Sequence, residues 1–298
     1  MGTFKTSGAT GNREGLLDVL TYISRTSAPI FAALKRRKIA STHPEWLTQS
    51  LPTPTGGAAN EGAAFSAGTI TARSRTGAYT QILVTTYTIS ETQEVVSKAA
   101  VGSEVAEQKK LAYQDFVRDI EYELLNGTGK SGTSREIKGI RSWITTTVET
   151  GSGTGASETL TEKMFLDNLQ AIWTQNGKPD NTYVGAFQKR KIGAFSGSYG
   201  SSSVSINVDQ IGKKLISNVS IYESDFGILK IHLHDLATTT EVLNLQLDSW
   251  EVGLLRAPKE MQVLPGACDG QSFSVIAELA LMAKAQQFNG KITGLATS

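Results

Sequence analysis

The chain has 298 residues, more than one hydrophobic core usually organises, so one large or two smaller domains of about 100 to 200 residues each are expected. Its 29 Lys+Arg against 28 Asp+Glu leave a formal net charge of +1, which offers no whole-chain field for gripping a polyanion or an acidic membrane. Cys268 is the only cysteine, which excludes an intrachain disulfide framework or a zinc site of several thiolates, and no run approaches the ~18 apolar residues of a membrane-spanning helix.

Residues 1–12 are small and polar and read as a loose arm that orders only against something else. Leu16, Leu17, Leu20 and Ile23 then recur at helical spacing, and a second short helix starts at Pro29, where a missing N–H is harmless. The run Lys35-Arg36-Arg37-Lys38 is expected to end that helix as a solvated face favoured by the dipole. Residues 43–62, dense in Pro, Gly, Thr and Ala, predict an irregular connection. Two strand-like runs follow, 68–75 and 79–90, and the short link Thr76-Gly77-Ala78 suits a hairpin. The first run offers only Ile70 and Ala72 as apolar surface, so the hairpin is expected to protrude and dock on a neighbour.

Residues 103–126 predict a long amphipathic helix, a rod of about 35 Å. Val105, Ala112, Phe116, Ile120 and Leu124 stack on one stripe, while Glu107, Lys110, Arg118, Glu121 and Glu123 are assigned to the wet side. Ser103 is placed to cap the helix and Asn126-Gly127 to stop it. Beyond a glycine-rich loop, a strand is expected within 140–147, then a flexible surface connection at 151–157. Helices at 161–175 and 187–195 alternate with strands at 182–185, 217–222, 229–234 and 242–247, which predicts an α/β domain over 159–247. The tail strands 250–255, 259–263 and 272–285 need a partner sheet, and the segment before Gly151 can supply it. The order is then a discontinuous domain with a second one inserted.

The chemistry-bearing motifs fail their context. Gly129-Lys130-Ser131 lacks the glycine five positions earlier that a phosphate loop needs, since Leu124 stands there, and it follows a helix. Asp225-Phe226-Gly227 matches a kinase triplet in letters only and reads as a bend between strands. His232 and His234 would share one face of a strand, but no third metal ligand stands at identifiable spacing, and His43 is remote, so they read as surface or strand-edge histidines. Cys268 has no histidine nearby in sequence. No catalytic, cofactor-binding or metal-ligating residue is assigned, and no enzyme is expected.

The order of elements and certain wording resemble a known family. Glu45-Trp46-Leu47-Thr48 with Ser50-Leu51, Asn60-Glu61-Gly62, Tyr79-Thr80-Gln81-Ile82, Arg118-Asp119-Ile120-Glu121, residues 139–143, and Ser224-Asp225-Phe226-Gly227 with Leu229-Lys230 occur in sequence. Together they resemble the SU10-like major head proteins, tailed-phage capsid proteins of the HK97 fold, over roughly residues 15–285. The resemblance implies an α+β HK97-like fold. It implies an N-terminal arm with short helices (1–47), an extended hairpin loop lying over an adjacent subunit (48–90), and a peripheral domain (91–158 and 248–298) with spine helix 103–126. Residues 159–247 would be the axial domain. It further implies a self-assembling shell of hexamers and pentamers around double-stranded DNA held weakly and non-specifically, with a portal and scaffolding or decoration proteins as partners. No membrane partner or cofactor is implied, and the protein is expected in the virion after synthesis in a host cytoplasm. An encapsulin-like compartment shares the fold class, a tail or neck component would form small rings, and a soluble α/β enzyme would need a polar constellation that the sequence does not display.

Overall fold

The apolar stripe of 103–126 does form the longest helix, and the first core is built against it. The computed structural model describes residues 27–52, 54, 58, 60–62, 64, 68, 70–98, 100–151, 158–195, 221–236, 240–263 and 270–297. In chain order the elements are α1 (Pro29–Ala33), β1 (Lys35–Lys38), β2 (Glu45–Thr48), β3 (Ser74–Gly77), β4 (Gln81–Ile89), α2 (Glu91–Val95), α3 (Glu104–Asn126), α4 (Ile140–Trp143), β5 (Val148–Thr150), α5 (Glu162–Thr174), β6 (Asn181–Val184), α6 (Ala186–Ile192), β7 (Ile221–Ser224), β8 (Gly227–Leu233), β9 (Val242–Leu245), β10 (Trp250–Val263), β11 (Gln271–Ala283) and β12 (Gly290–Thr293). The predicted segment 14–23 lies outside the described residues, as do 152–157, 196–220 and Cys268.

Helix α3 starts where a side chain can satisfy its free N–H groups. Ser103 Oγ accepts from the Ala106 amide at 3.3 Å, and the Glu94 carboxylate of α2 accepts from Glu104 at 2.8 Å. Hydrogen bonds from Ser103 and Lys98, with the α3 amides, hold the Glu94 carboxyl down at about 2 against the opposing effect of desolvation. Phe116, Ile120, Leu124 and Leu125 are buried against Leu279 and Leu281 of β11, Val252 of β10, and Ile30 of α1. The sheet behind them has the order β1-β10-β11-β4, so strands from both ends of the chain share it. The tail strands therefore find their partners before Gly151.

A second sheet, in the order β5-β12-β9-β6-β8-β7, carries the second core. Its middle strands β6 and β9 bury both faces, and their polar members Thr182 and Asn244 are satisfied by buried side-chain hydrogen bonds, Thr182 to Asn244 at 2.8 Å and Asn244 to Asn168 at 2.9 Å. Tyr183, Leu243 and Leu245 join the first core, while Val184 and Val242 point the other way onto Phe165, Leu169 and Ile172 of α5. Helix α5 is capped by Thr161 Oγ1, which accepts from Met164, and Trp173 on its outer side remains exposed. Asp225-Phe226 forms the tight β7–β8 turn, closed by Gly227 at φ +135, a conformation that favours glycine.

Several expectations are corrected. Residues 68–75 and 79–90 do not pair with one another: β3 pairs with β2, and β4 pairs antiparallel with β11 from Gln81↔Leu279 to Gln271↔Ile89. The reason is apolar content, because Leu83, Tyr87 and Ile89 gain a core beside Ala277 and Phe273 that β3 cannot provide. The irregular stretch 43–62 accordingly contains strand β2. The basic run 35–38 is an edge strand parallel to β10, not a helix end. Two of its charges find partners far along the chain, Lys35 with Asp248 at 2.6 Å and Arg37 with Glu251 at 3.2 Å, while Arg36 lies over the nearby Phe31 ring at 4.4 Å. The strand expected within 140–147 is one helical turn, α4, which buries Ile140 and Trp143 at i, i+3. The separate strands 250–255 and 259–263 are one strand, with register shifts around Arg256 and Pro258, a residue that has no N–H for the ladder.

Candidate assembly surfaces

The surface with most exposed apolar side chain begins at the β2–β3 ladder. That ladder runs from Glu45↔Gly77 to Thr48↔Ser74, at the two ends of the segment 49–73. Its base is tight. Trp46 packs 5.9 Å from Trp143, His43 stacks on Tyr79 at 4.2 Å, and a Cβ on Gly77 would stand 2.7 Å from the His43 ring. Beyond Thr48 the links are polar and exposed: Gln49 donates to the Thr71 carbonyl at 3.0 Å and accepts from Arg73 at 3.1 Å. Leu51 and Ile70 are 94% and 90% exposed, values that no core residue approaches.

A second surface is the outer face of β4. Its strict alternation turns Ile82 and Val84 to solvent while Leu83, Thr85 and Tyr87 face α3. Between β4 and α3 lies an open cleft of about 360 Å³ lined by Thr85, Tyr87, Leu111, Asp115 and Arg118, among others. Burial, with the neighbouring Asp115 charge, raises the Asp119 carboxyl above its ordinary range at this rim.

The residues singled out by motif do not converge. Lys130 pairs with Glu136 at 3.3 Å in the loop after α3, and Thr128 donates to the same carboxylate at 2.6 Å and lowers its pKa. His232 stands on β8 and His234 directly follows it, and they take different partners: His232 Nε2 meets Asn181 Oδ1 at 2.8 Å, and His234 Nε2 meets Glu121 Oε1 at 2.6 Å. Burial lowers the His232 pKa, helped by the charges of Lys189 and Lys230. His234 is 3% exposed and therefore not a surface histidine. Among the described residues no group of three or more His, Cys, Asp and Glu is arranged to hold a metal ion.

Glu121 is the residue that sequence reasoning misplaced. It is 0% exposed, not on the wet side of α3. Its Oε1 and Oε2 accept from the Ile30 and Phe31 amides at 2.9 and 2.7 Å, so it caps α1 from another helix. The signal was available in its spacing, since Glu121 lies beside Ile120 and three residues before Leu124, inside the buried stripe.

With these surfaces described, likeness to known proteins decides the identity. The sequence profile of the SU10 major capsid protein family matches residues 3–296. The chain belongs to that family. No curated protein matches the sequence. The fold is similar to a chain of the cyanophage A-1(L) capsid asymmetric unit, with a TM-score of 0.74 at 12% identity over 99% of this chain and 100% of that one. A chain from Microbacterium phage Oxtober96 aligns with a TM-score of 0.67 at 12% identity over 95% and 96% of the two chains. One from Mycobacterium phage Ogopogo aligns at 0.64 and 12% over 98% and 99%. The SU10 family member described here is thus a mixed α/β, HK97-like subunit, a major capsid protein of an icosahedral tailed-phage shell and a component of the virion.

Proposed function

We propose that this subunit assembles into hexamers and pentamers that enclose double-stranded DNA, and that residues 49–73 are the part that engages an adjacent copy. The observation carrying this reading is the near-complete exposure of Leu51 and Ile70, on a segment whose two limbs are tied to each other by polar contacts among Gln49, Thr71 and Arg73. Such side chains gain burial only against another molecule, and repeated subunits supply the same partner surface in each ring. In this reading residues 1–47 serve as the arm with its short helices, 48–90 as the extended loop, 91–158 with 248–298 as the peripheral domain, and 159–247 as the axial domain. Helix α3 is the spine. Strand β4 lies inside the 48–90 range yet belongs to the core sheet, so the part of that range that meets a neighbour is the stretch before Ser74.

The DNA is held without a dedicated grip, because net charge is +1 and Lys35, Arg36 and Arg37 are engaged within the subunit. A portal, with scaffolding or decoration proteins, completes the head, and synthesis takes place in the host cytoplasm. No catalytic step belongs to this role.

Electron microscopy of the purified full chain across protein concentration and salt tests the proposal. Closed shells, or free hexamers and pentamers, are the expected particles. A monodisperse monomer under every condition, with other virion proteins added, would overturn it.

A further inference from the structure

The buried Glu121 carboxylate joins three elements that are far apart in sequence. It takes two backbone N–H groups from α1, belongs to α3, and meets His234 at the end of β8. The imidazole is oriented by its other nitrogen, because Nδ1 accepts from the Leu236 amide at 3.0 Å, which leaves the proton on Nε2 facing Glu121. The His234 amide donates to Val184 at 3.0 Å, and the Tyr183 ring stands edge-on at 6.0 Å, so the histidine is tied into the second sheet. A fully buried carboxylate without sufficient donors is costly, so each donor makes the others worth more.

From this geometry we infer that Glu121 couples the seating of the N-terminal segment to the seating of the second sheet. If α1 lifts away, Glu121 loses the Ile30 and Phe31 donors, and the His234 contact must reorganise around an undersolvated charge. If β8 shifts, α1 loses its cap. The coupling is reciprocal by linkage, although His234 touches neither Ile30 nor Phe31 among the bonds described. Ser27 Oγ, which donates to Asp235 at 3.2 Å, extends the same junction, from two residues before α1 to the residue after His234. A displacement of the N-terminal segment would thus be transmitted to the α/β sheet without any contact between a neighbour and that sheet. This inference concerns the single subunit and does not rest on the assembly reading.

Amide hydrogen exchange on dissociated full-length chains tests it. In His234→Ala, exchange at Ile30 and Phe31 is expected to rise about tenfold or more, while His232→Ala, one turn of the pleat away on the same strand, leaves both amides near wild type. Unchanged protection at Ile30 and Phe31 in His234→Ala, with Leu236 opened, would overturn the coupling. So would an equal rise in both variants. If His234→Ala does not fold, Glu121→Gln provides the reverse measurement: exchange at Leu236 is expected to rise, and an unaltered Leu236 amide refutes the idea. Because the readout is local protection, failure to form shells would count against the capsid reading alone.

Discussion

The α3 core and the 49–73 segment obey opposite rules in the same chain. Around α3, side chains from both sheets and α1 close over Phe116, Ile120 and Leu124 until none is measurably exposed beyond 1%. Among the described residues of 49–73, Leu51 and Ile70 stand in solvent, and polar contacts of Gln49 with Thr71 and Arg73 tie one limb to the other. A core of the first kind specifies a subunit. A segment of the second kind is only half a structure, and its missing half is a surface elsewhere.

That contrast can be broken most severely by deleting residues 51–71 and bridging the gap with a short Gly-Ser link. Particle yield by sedimentation and electron microscopy is expected to fall about tenfold or more, while the thermal transition of the subunit stays within a few degrees. Deletion of 68–90 would be a different experiment, since it removes β4 and opens the first core. In the opposite direction, Ile120→Ala should destabilise the subunit by about 2–5 kcal/mol in urea unfolding through the cavity it leaves, and reduce particles only through loss of folded chains. A smaller effect is expected from Ser103→Ala, about 0.5–2 kcal/mol, because one capping bond at the start of α3 is lost.

The smallest effect concerns acid. The Glu94 carboxyl titrates lower in the folded subunit than the ~4.3 of a free Glu, so its contribution is complete above that value. It is lost as pH falls through about 2, the value in the folded chain. Urea midpoints of Glu94→Gln and wild type should therefore differ at pH 6 and converge as the pH is lowered. A difference that persists undiminished at the lowest pH would show that the cap does not depend on charge.

The elements legible in the sequence were those with local causes. Helices α3 and α5 carried their own periodicity, Ser103 was readable as the cap of α3, and the β7–β8 bend followed from Asp225-Phe226-Gly227. What escaped has remote causes. Four consecutive charges make strand β1 only because Asp248 and Glu251 lie more than 200 positions downstream to receive Lys35 and Arg37. Glu121 is buried only because α1 and β8 bring it donors from 91 and 113 positions away. Strand pairing escaped for the same reason: β2 lay in a stretch read as irregular for its Pro, Gly, Thr and Ala, and the run 68–75 was paired with 79–90, its neighbour in sequence, instead of with β2. Alternation along β4 was readable, but the identity of its mate on β11 was not.

The position of β12 bears on how the protein is made. This short strand occupies an interior place, parallel to β5 on one side and antiparallel to β9 on the other. During translation it emerges after every other described strand, so the ribosome exposes a chain whose second sheet is still split between β5 and β9. Sequence separations of this size also make closure slow compared with local helix formation. The second sheet, and with it the surface that a finished subunit presents, is therefore complete only once residues 290–293 have been made.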